Sequence, residues 1–211
     1  MTSDLLLRAY AMGIFPMARS RTDQRLYWID PDQRGILPLD GFHLPRSLRK
    51  TLRRQVFEIR VDTAFEAVME GCAQATHDRP DTWINDEIVR LFVELHHLGM
   101  AHSVESWREG RLVGGLYGLS LGSAFFGESM FSRETDASKV ALVDLVARLK
   151  RAGYRLLDTQ FVTEHLCRFG ATEIPRHQYL KLLAAAVDVP AVFPRGNVRW
   201  EESLGEADVS P

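Results

Sequence analysis

Glu128, Asp158 and Gln160 are the residues of this chain whose types and placing best suit chemistry. Asp158 and Gln160 stand two apart in Arg155 to Gln160, a stretch that reads as a strand. Side chains of an extended chain alternate, so Leu156, Asp158 and Gln160 share one face and Leu157 and Thr159 the other. A carboxylate beside an amide can accept from its N–H₂, which turns the amide oxygen outward as a fixed acceptor. The competing reading is an Asp and a Gln that end a strand and satisfy loop N–H groups. Glu128 follows the apolar Phe125-Phe126 in a segment that reads as a tight polar turn. A carboxylate there is either held by backbone N–H groups or aimed at a ligand.

Elements predicted around these residues form a β-α-β unit: a strand over Ser123 to Phe126, a helix from Ala137 to Ala152, and the strand ending at Gln160. Asp136 is the expected N-cap of that helix. Leu142, Leu145, Val146 and Leu149 give it an apolar stripe that should lie against a sheet, part of which can floor an apolar pocket. Ser138 and Lys139 are helix neighbours that point apart, which argues against a nucleophile and base. A hairpin comes earlier, with His102 to Arg108 and Leu112 to Leu119 joined at Glu109-Gly110. Helices over Thr163 to Arg168 and Arg176 to Val187 follow, and then an extended tail from Asp188 to Pro211.

The first half opens on a helix over residues 3–12, capped by Thr2 or Ser3 and closed by Gly13. Ile14 to Met17 then packs in the core or lines a cleft. Leu26 to Ile29 is a strand candidate ended by Asp30-Pro31-Asp32, and a loop broken up by Pro38, Gly41 and Pro45 follows. Leu44 to Arg54 reads as a helix with Leu48 and Leu52 inward and Arg46, Arg49, Lys50, Arg53 and Arg54 outward. That basic face is either solvated or a phosphate-contacting patch. A strand over Val56 to Val61, a helix from Thr63 to Ala75 capped by Asp62, a polar loop at residues 77–81 and an Asn85-capped helix to Leu98 complete this half. The expected fold is α+β, with a small N-terminal α+β domain over 1–98 and a C-terminal domain over 99–211.

Composition narrows the function. A chain of 211 residues with 45% hydrophobic and 26% charged content is that of an ordinary globular protein. A net charge of −2 argues against bulk nucleic-acid binding, though a local patch can serve one nucleic-acid end. Cys72 and Cys167 lack metal-ligand spacing and read as inert core residues; His96, His97 and His102 read as surface or core. Asp4 and Arg8 interrupt the N-terminal apolar run, so no signal peptide is expected. No apolar run approaches the ~20 residues of a membrane span. A cytoplasmic monomer is the expectation. There is no phosphate loop, zinc spacing or G-x-S-x-G elbow, and neither metal nor cofactor is expected.

A set of motifs then carries a resemblance. Gly13-Ile14-Phe15-Pro16, Trp28 with Asp30-Pro31, Gly71-Cys72-Ala73, Thr82-Trp83-Ile84 and Ala101-His102-Ser103-Val104-Glu105 stand in order. Trp107-Arg108, Leu112 to Gly118, Gly127 to Ser132, Ala137-Ser138-Lys139, Leu157 to Gln160, Phe169-Gly170-Ala171 and Ile174-Pro175-Arg176 complete the set. Over nearly its whole length the sequence resembles the leucyl/phenylalanyl-tRNA–protein transferase family. That resemblance implies a GNAT-like C-terminal domain. It also implies transfer of Leu or Phe, and less well Met, from aminoacyl-tRNA to the N-terminal Arg or Lys of a protein, which marks that protein for N-degron proteolysis. By position, Asp158 and Gln160 match the catalytic pair, and Glu128 matches the acid that holds the basic acceptor residue. Trp83 matches an aromatic beside the terminal adenosine. Leu116, Phe125, Leu142, Leu145 and Leu157 match the pocket for the transferred side chain.

Two positions depart from that pattern. Met17 stands where well-known members carry a Trp, although a thioether can still cover a base. Leu145 stands where a Phe is common, which bears on which residue is transferred. The implied partners are the aminoacylated 3′ end and acceptor stem of tRNA, with the basic patch as the phosphate contact, and a protein with a basic N-terminus. Three alternatives stay open: a different transferred residue such as Arg, a non-catalytic reader of basic N-termini, and an acyl-CoA N-acetyltransferase. The last lacks a Q/R-x-x-G-x-G/A loop before Ala137, where Arg133-Glu134-Thr135-Asp136 is too acidic for phosphates.

Overall fold

Thr2 sets where the chain first turns helical, its hydroxyl accepting the Leu5 N–H, and Gly13 at φ 82° closes the turn that follows. Between them runs α1 (Ser3–Ala11). Residues 1–75 and 80–204 are described in the structure, a computed structural model. After α1 come β1 (Phe15–Met17), β2 (Tyr27–Ile29), β3 (Gln33–Ile36), α2 (Arg46–Arg53), β4 (Glu58–Val61), α3 (Phe65–Ala73) and α4 (Asp86–His97). Next are β5 (Ala101–Arg108), β6 (Arg111–Leu121), β7 (Ala124–Ser132), α5 (Ala137–Arg151) and β8 (Leu156–Gln160). The last elements are α6 (Glu164–Cys167), β9 (Thr172–Pro175), α7 (Arg176–Val187) and α8 (Trp200–Leu204).

β1 and β2 pair as a small antiparallel ribbon, and the other strands form one seven-stranded sheet in the order β4-β5-β6-β7-β8-β3-β9. Its neighbours are antiparallel except β7 and β8, which run parallel and are joined by α5. The class is α+β, as expected. Strand alternation divides the core. Tyr117, Phe126 and Leu156 face α1, α3, α4 and α7, whereas their neighbours Leu116, Phe125 and Leu157 face α2 and α5. β3 and β4, from the segment before residue 98, are strands of the same sheet as β5 to β8. Among the described residues no helix is long and apolar enough to cross a membrane.

Several local expectations need correction. Residues 33–36, read as loop, form β3 between β8 and β9; Arg and Gly in a four-residue strand leave no alternation to read. β9 is missed for the same reason of length. Asp62 does not cap α3, because at φ 57° its carboxylate turns to the Ser103 N–H (2.9 Å) and His102 Nδ1 (2.8 Å). Glu105 instead accepts the N–H groups of Thr63 and Ala64 ahead of that helix. Asp136 is likewise left-handed at φ 70°, and it pairs with Lys139 Nζ at 2.7 Å rather than capping α5. Residues 127–132, read as a turn, continue β7.

α5 is buried on nearly every side, not along one stripe, because the segment after α7 folds back over it. Arg148 on that outer side pairs with Asp144 and donates to the carbonyls of Pro194 (2.8 Å) and Gly196 (2.6 Å). The expected tail therefore contains a buried Phe193 and α8; residues 205–211 lie outside the described residues, as do 77–79 of the expected polar loop. Cys72 is in the core, but Cys167 is exposed.

Candidate active site

The two central strands separate where the site begins. β7 and β8 are paired only as far as Phe126 and Asp158, and β7 then continues on β6 alone. Opposite Tyr117 and Gly118 the β7 partners are Ser129 and Gly127, so Glu128 is the extra residue of a bulge. Such a bulge re-aims a side chain, here into the gap between the strands. β8 ends in a left-handed Gln160 at φ 56°, with the Phe161 N–H closing onto the Thr159 carbonyl at 2.6 Å.

Glu128 and Gln160 meet across that gap. Glu128 Oε1 accepts the Tyr10 hydroxyl at 2.7 Å and the Gln160 Nε2–H at 3.1 Å. Burial pushes the Glu128 carboxyl up to about 8, with the nearby Asp158 charge adding to it, while the Tyr10 bond and the Arg34 charge pull the other way. Tyr10, also buried, is pushed well above the usual phenol range by burial and by Glu128.

Asp158 lies just behind this pair and does not line the cavity. Its side chain is wholly buried, and each oxygen is occupied. Oδ1 accepts the Gln160 backbone N–H at 2.7 Å and Arg34 Nε at 3.0 Å. Oδ2 accepts Arg34 Nη2 at 2.7 Å and the Tyr179 hydroxyl at 2.6 Å. The expected bond from the Gln160 side-chain amide to Asp158 is absent: Asp158 holds the backbone of Gln160, and the amide N–H₂ is turned to Glu128. Burial draws the Arg34 guanidinium down, but the bonds and charge of Asp158 outweigh it and raise it overall.

Beyond the polar pair is a cavity of about 300 Å³, within the range of small-ligand sites. Leu116, Leu142, Leu145 and Leu157 line its apolar part, and Met17, Trp83 and Phe161 stand around it. Met17 and Trp83 are held near one another by the following residue, since the Ala18 N–H donates to the Trp83 carbonyl at 3.3 Å. Phe125, expected in this wall, is instead core. Its ring fills the space over Gly118 and stacks on Phe193 at 5.5 Å, closed off from the cavity. His165 was not anticipated; it lines the cavity with Nε2 enclosed and lacking a partner, and burial with Lys139 and Arg168 favours its neutral form.

The basic face lies on α2, away from the cavity lining. Arg46, Lys50, Arg53 and Arg54 are exposed and Arg49 is half-buried, with its Nε enclosed and lacking a partner. Buried Leu48 fixes α2 on the α5 side of the sheet, and the His43 N–H donates to the Phe169 carbonyl beyond α6, whose residues line the cavity. Arg34, Tyr179 and Tyr10 were missed in the sequence. Tyr10 and Tyr179 sit in amphipathic helices where an aromatic reads as core, and Arg34 lies in the strand that was read as loop.

Comparison with known proteins agrees along the chain. A profile described as leucyl/phenylalanyl-tRNA protein transferase matches residues 36–184, and one for the N-terminal domain of the same proteins matches residues 1–32. A leucyl/phenylalanyl-tRNA–protein transferase of Paramagnetospirillum magneticum is 68% identical over 205 residues, covering 97% of this chain and 98% of its own. Among solved structures, L-PGS from Bacillus licheniformis is similar at a TM-score of 0.41 and 14% identity, over 75% of this chain and 53% of that one.

Proposed function

The chain belongs to the leucyl/phenylalanyl-tRNA–protein transferase family, and from that premise we propose that it moves Leu or Phe, and less well Met, from aminoacyl-tRNA onto an N-terminal Arg or Lys. The observation that carries this reading is one cavity lined both by leucines and by the Glu128–Gln160 pair. An apolar aminoacyl side chain fits the first and a cationic N-terminus the second. A donor Arg would bury its charge against leucine, at the cost of an unpaired ion.

The donor enters with its side chain between Leu116, Leu142, Leu145 and Leu157. Trp83 and Met17 cover the terminal adenosine, where aromatic stacking contributes about 1–3 kcal/mol. Arg46, Arg49, Lys50, Arg53 and Arg54 contact acceptor-stem phosphates. On the acceptor side Glu128 holds the basic side chain, ionising as that cation arrives.

The donor ester is already activated, so the reaction needs an oriented amine more than a strong base. An α-amine has a pKa near ~7.7–8.0, and a useful fraction is neutral at cellular pH. Gln160 Nε2 is committed to Glu128, which leaves Oε1 to accept from the attacking amine. The amine nitrogen bonds to the ester carbonyl carbon, the C–O bond to the ribose breaks, and the ribose oxygen leaves with the proton the amine gives up. Holding two reactants in such geometry can remove roughly 7–11 kcal/mol of barrier.

The product carries Leu or Phe at its N-terminus, an N-degron. Both reactants are cytoplasmic, and the enzyme acts there as a monomer. The test is a panel of Leu-, Phe-, Met- and Arg-charged tRNAs against Arg-, Lys-, Asp- and Glu-initiated peptides. Product from Leu and Phe donors on Arg and Lys acceptors alone is the expected pattern. Product from charged Arg-tRNA, or on acidic acceptors, would overturn the specificity, and tight peptide binding without product would favour a non-catalytic reader.

A further inference from the structure

Gln160 carries the transfer reading, yet its backbone conformation is one that a residue with a Cβ adopts only at a cost. Strained non-glycine residues persist when their surroundings over-determine them. Here the surroundings are a buried ion pair. Asp158 takes the Gln160 N–H on Oδ1, and the Arg34 fork and Tyr179 hydroxyl fill its remaining positions. Arg34 is itself pinned. Its guanidinium lies 4.5 Å from the Phe15 ring centre and 4.6 Å from that of Tyr179, and Nη1 donates to the Gly13 carbonyl at 2.9 Å. From behind, Gly35 backs the turn: a Cβ there would stand 2.7 Å from the Phe161 carbonyl carbon.

A buried ion pair is often no better for stability than apolar residues of the same volume. What the Arg34 fork supplies instead is a fixed direction for both carboxylate oxygens. We propose that Arg34 and Tyr179 are positioning residues which orient Asp158 and, through it, lock the left-handed backbone of Gln160, so that the Gln160 amide is presented to the cavity in one orientation. Asp158 is then a positioning residue as well, since it stands behind the cavity and does not line it. Through Gly13 and Phe15, the same guanidinium ties that orientation to β1, whose Met17 stands at the donor side of the cavity.

The kinetic part of the test rests on the transferase reading; the exchange part does not. Tyr179→Phe removes one bond to Asp158 with little change of shape. It should lower kcat about 3–10-fold while both KM values stay within about twofold, and should speed hydrogen exchange of the Gln160 N–H by a similar factor. Exchange in the central strands β6 and β7 should not change. Arg34→Lys keeps the charge but loses the fork, and should lower kcat about 10–100-fold. Folded variants with wild-type kcat and wild-type Gln160 exchange overturn the proposal. So does a lowered melting temperature with kcat unchanged, which is the mark of a merely structural pair. If Arg34→Lys fails to fold, Tyr179→Phe decides. If the wild type transfers nothing, the transferase reading fails, and Gln160 exchange alone judges the clamp.

Discussion

Gln160 Nε2 donates to Glu128 Oε1 at 3.1 Å, joining the residue that ends β8 to the bulged residue of β7 across the gap where the strands part. This bond fixes which end of the Gln160 amide faces a substrate. In the proposed reaction it also makes the two sides interdependent, because the amide assigned to orient the amine leans on the carboxyl assigned to hold the acceptor's cation.

Glu128→Gln should exchange function for stability. With its folded pKa raised to about 8, against an unfolded value near ~4.3, the folded state holds a proton that the unfolded state has released between those limits. Stability from this group is therefore intact at the acid end and is lost as pH rises toward 8. The variant should melt like the wild type near pH 4.5 and be more stable at pH 8, by on the order of 4 kcal/mol. Its KM for an Arg-initiated peptide should rise steeply. Thermal melts at both pH values, with peptide titrations, check it.

Binding of the acceptor should carry the same titration. A peptide that begins with desamino-arginine has the guanidinium but no α-amine. Its affinity should rise on the order of 50-fold between pH 6 and 8 as Glu128 ionises, and Glu128→Gln should flatten the profile. Isothermal titration across that range reads it directly.

Leu145→Phe should change donor choice. A larger ring in the cavity wall takes space that a Phe side chain needs more than a Leu does. One methylene-sized change in an apolar pocket is worth roughly 10–200-fold in discrimination, so the Leu-to-Phe ratio of kcat/KM should rise about tenfold. Parallel assays with the two charged tRNAs measure it.

Neutralising the α2 face should act through salt. Replacing Arg46, Lys50 or Arg54 with Gln should raise KM for aminoacyl-tRNA, and each should reduce the slope of log affinity against log salt by about 1. A donor reduced to aminoacyl-adenosine carries no acceptor-stem phosphate and should be affected much less. Unchanged salt slopes would return that face to plain solvation.

The β-α-β unit was legible because a 15-residue helix with an apolar stripe stands between two apolar strands. The leucine wall, by contrast, was implied by the family resemblance, with only the α5 stripe pointing to it independently. Other parts were not, for identifiable reasons. Gly127-Glu128-Ser129 has turn-like composition, and only pairing to β6 makes it a bulged strand. Asp62 and Asp136 have the residue type of N-caps, but left-handed backbones send their carboxylates elsewhere. Arg34 belongs to a four-residue strand held by neighbours far along the chain, so neither its strand nor its bond to Asp158 leaves a local signal. Phe125 is distinguished from the true wall residues only by Phe193, which arrives from a segment that reads as tail.

In the proposed reaction one cavity brings an aminoacyl ester and an N-terminal amine together beside Gln160. The most direct measurement is the mass of an Arg-initiated peptide after incubation with Leu-charged tRNA and either the wild type or Gln160→Leu. The wild type should add a single leucine, and the folded variant should do so about 10²-fold more slowly, the loss typical of one preorganised polar contact to a reacting centre. An unmodified peptide with the wild type, or equal rates from the two proteins, would contradict the account.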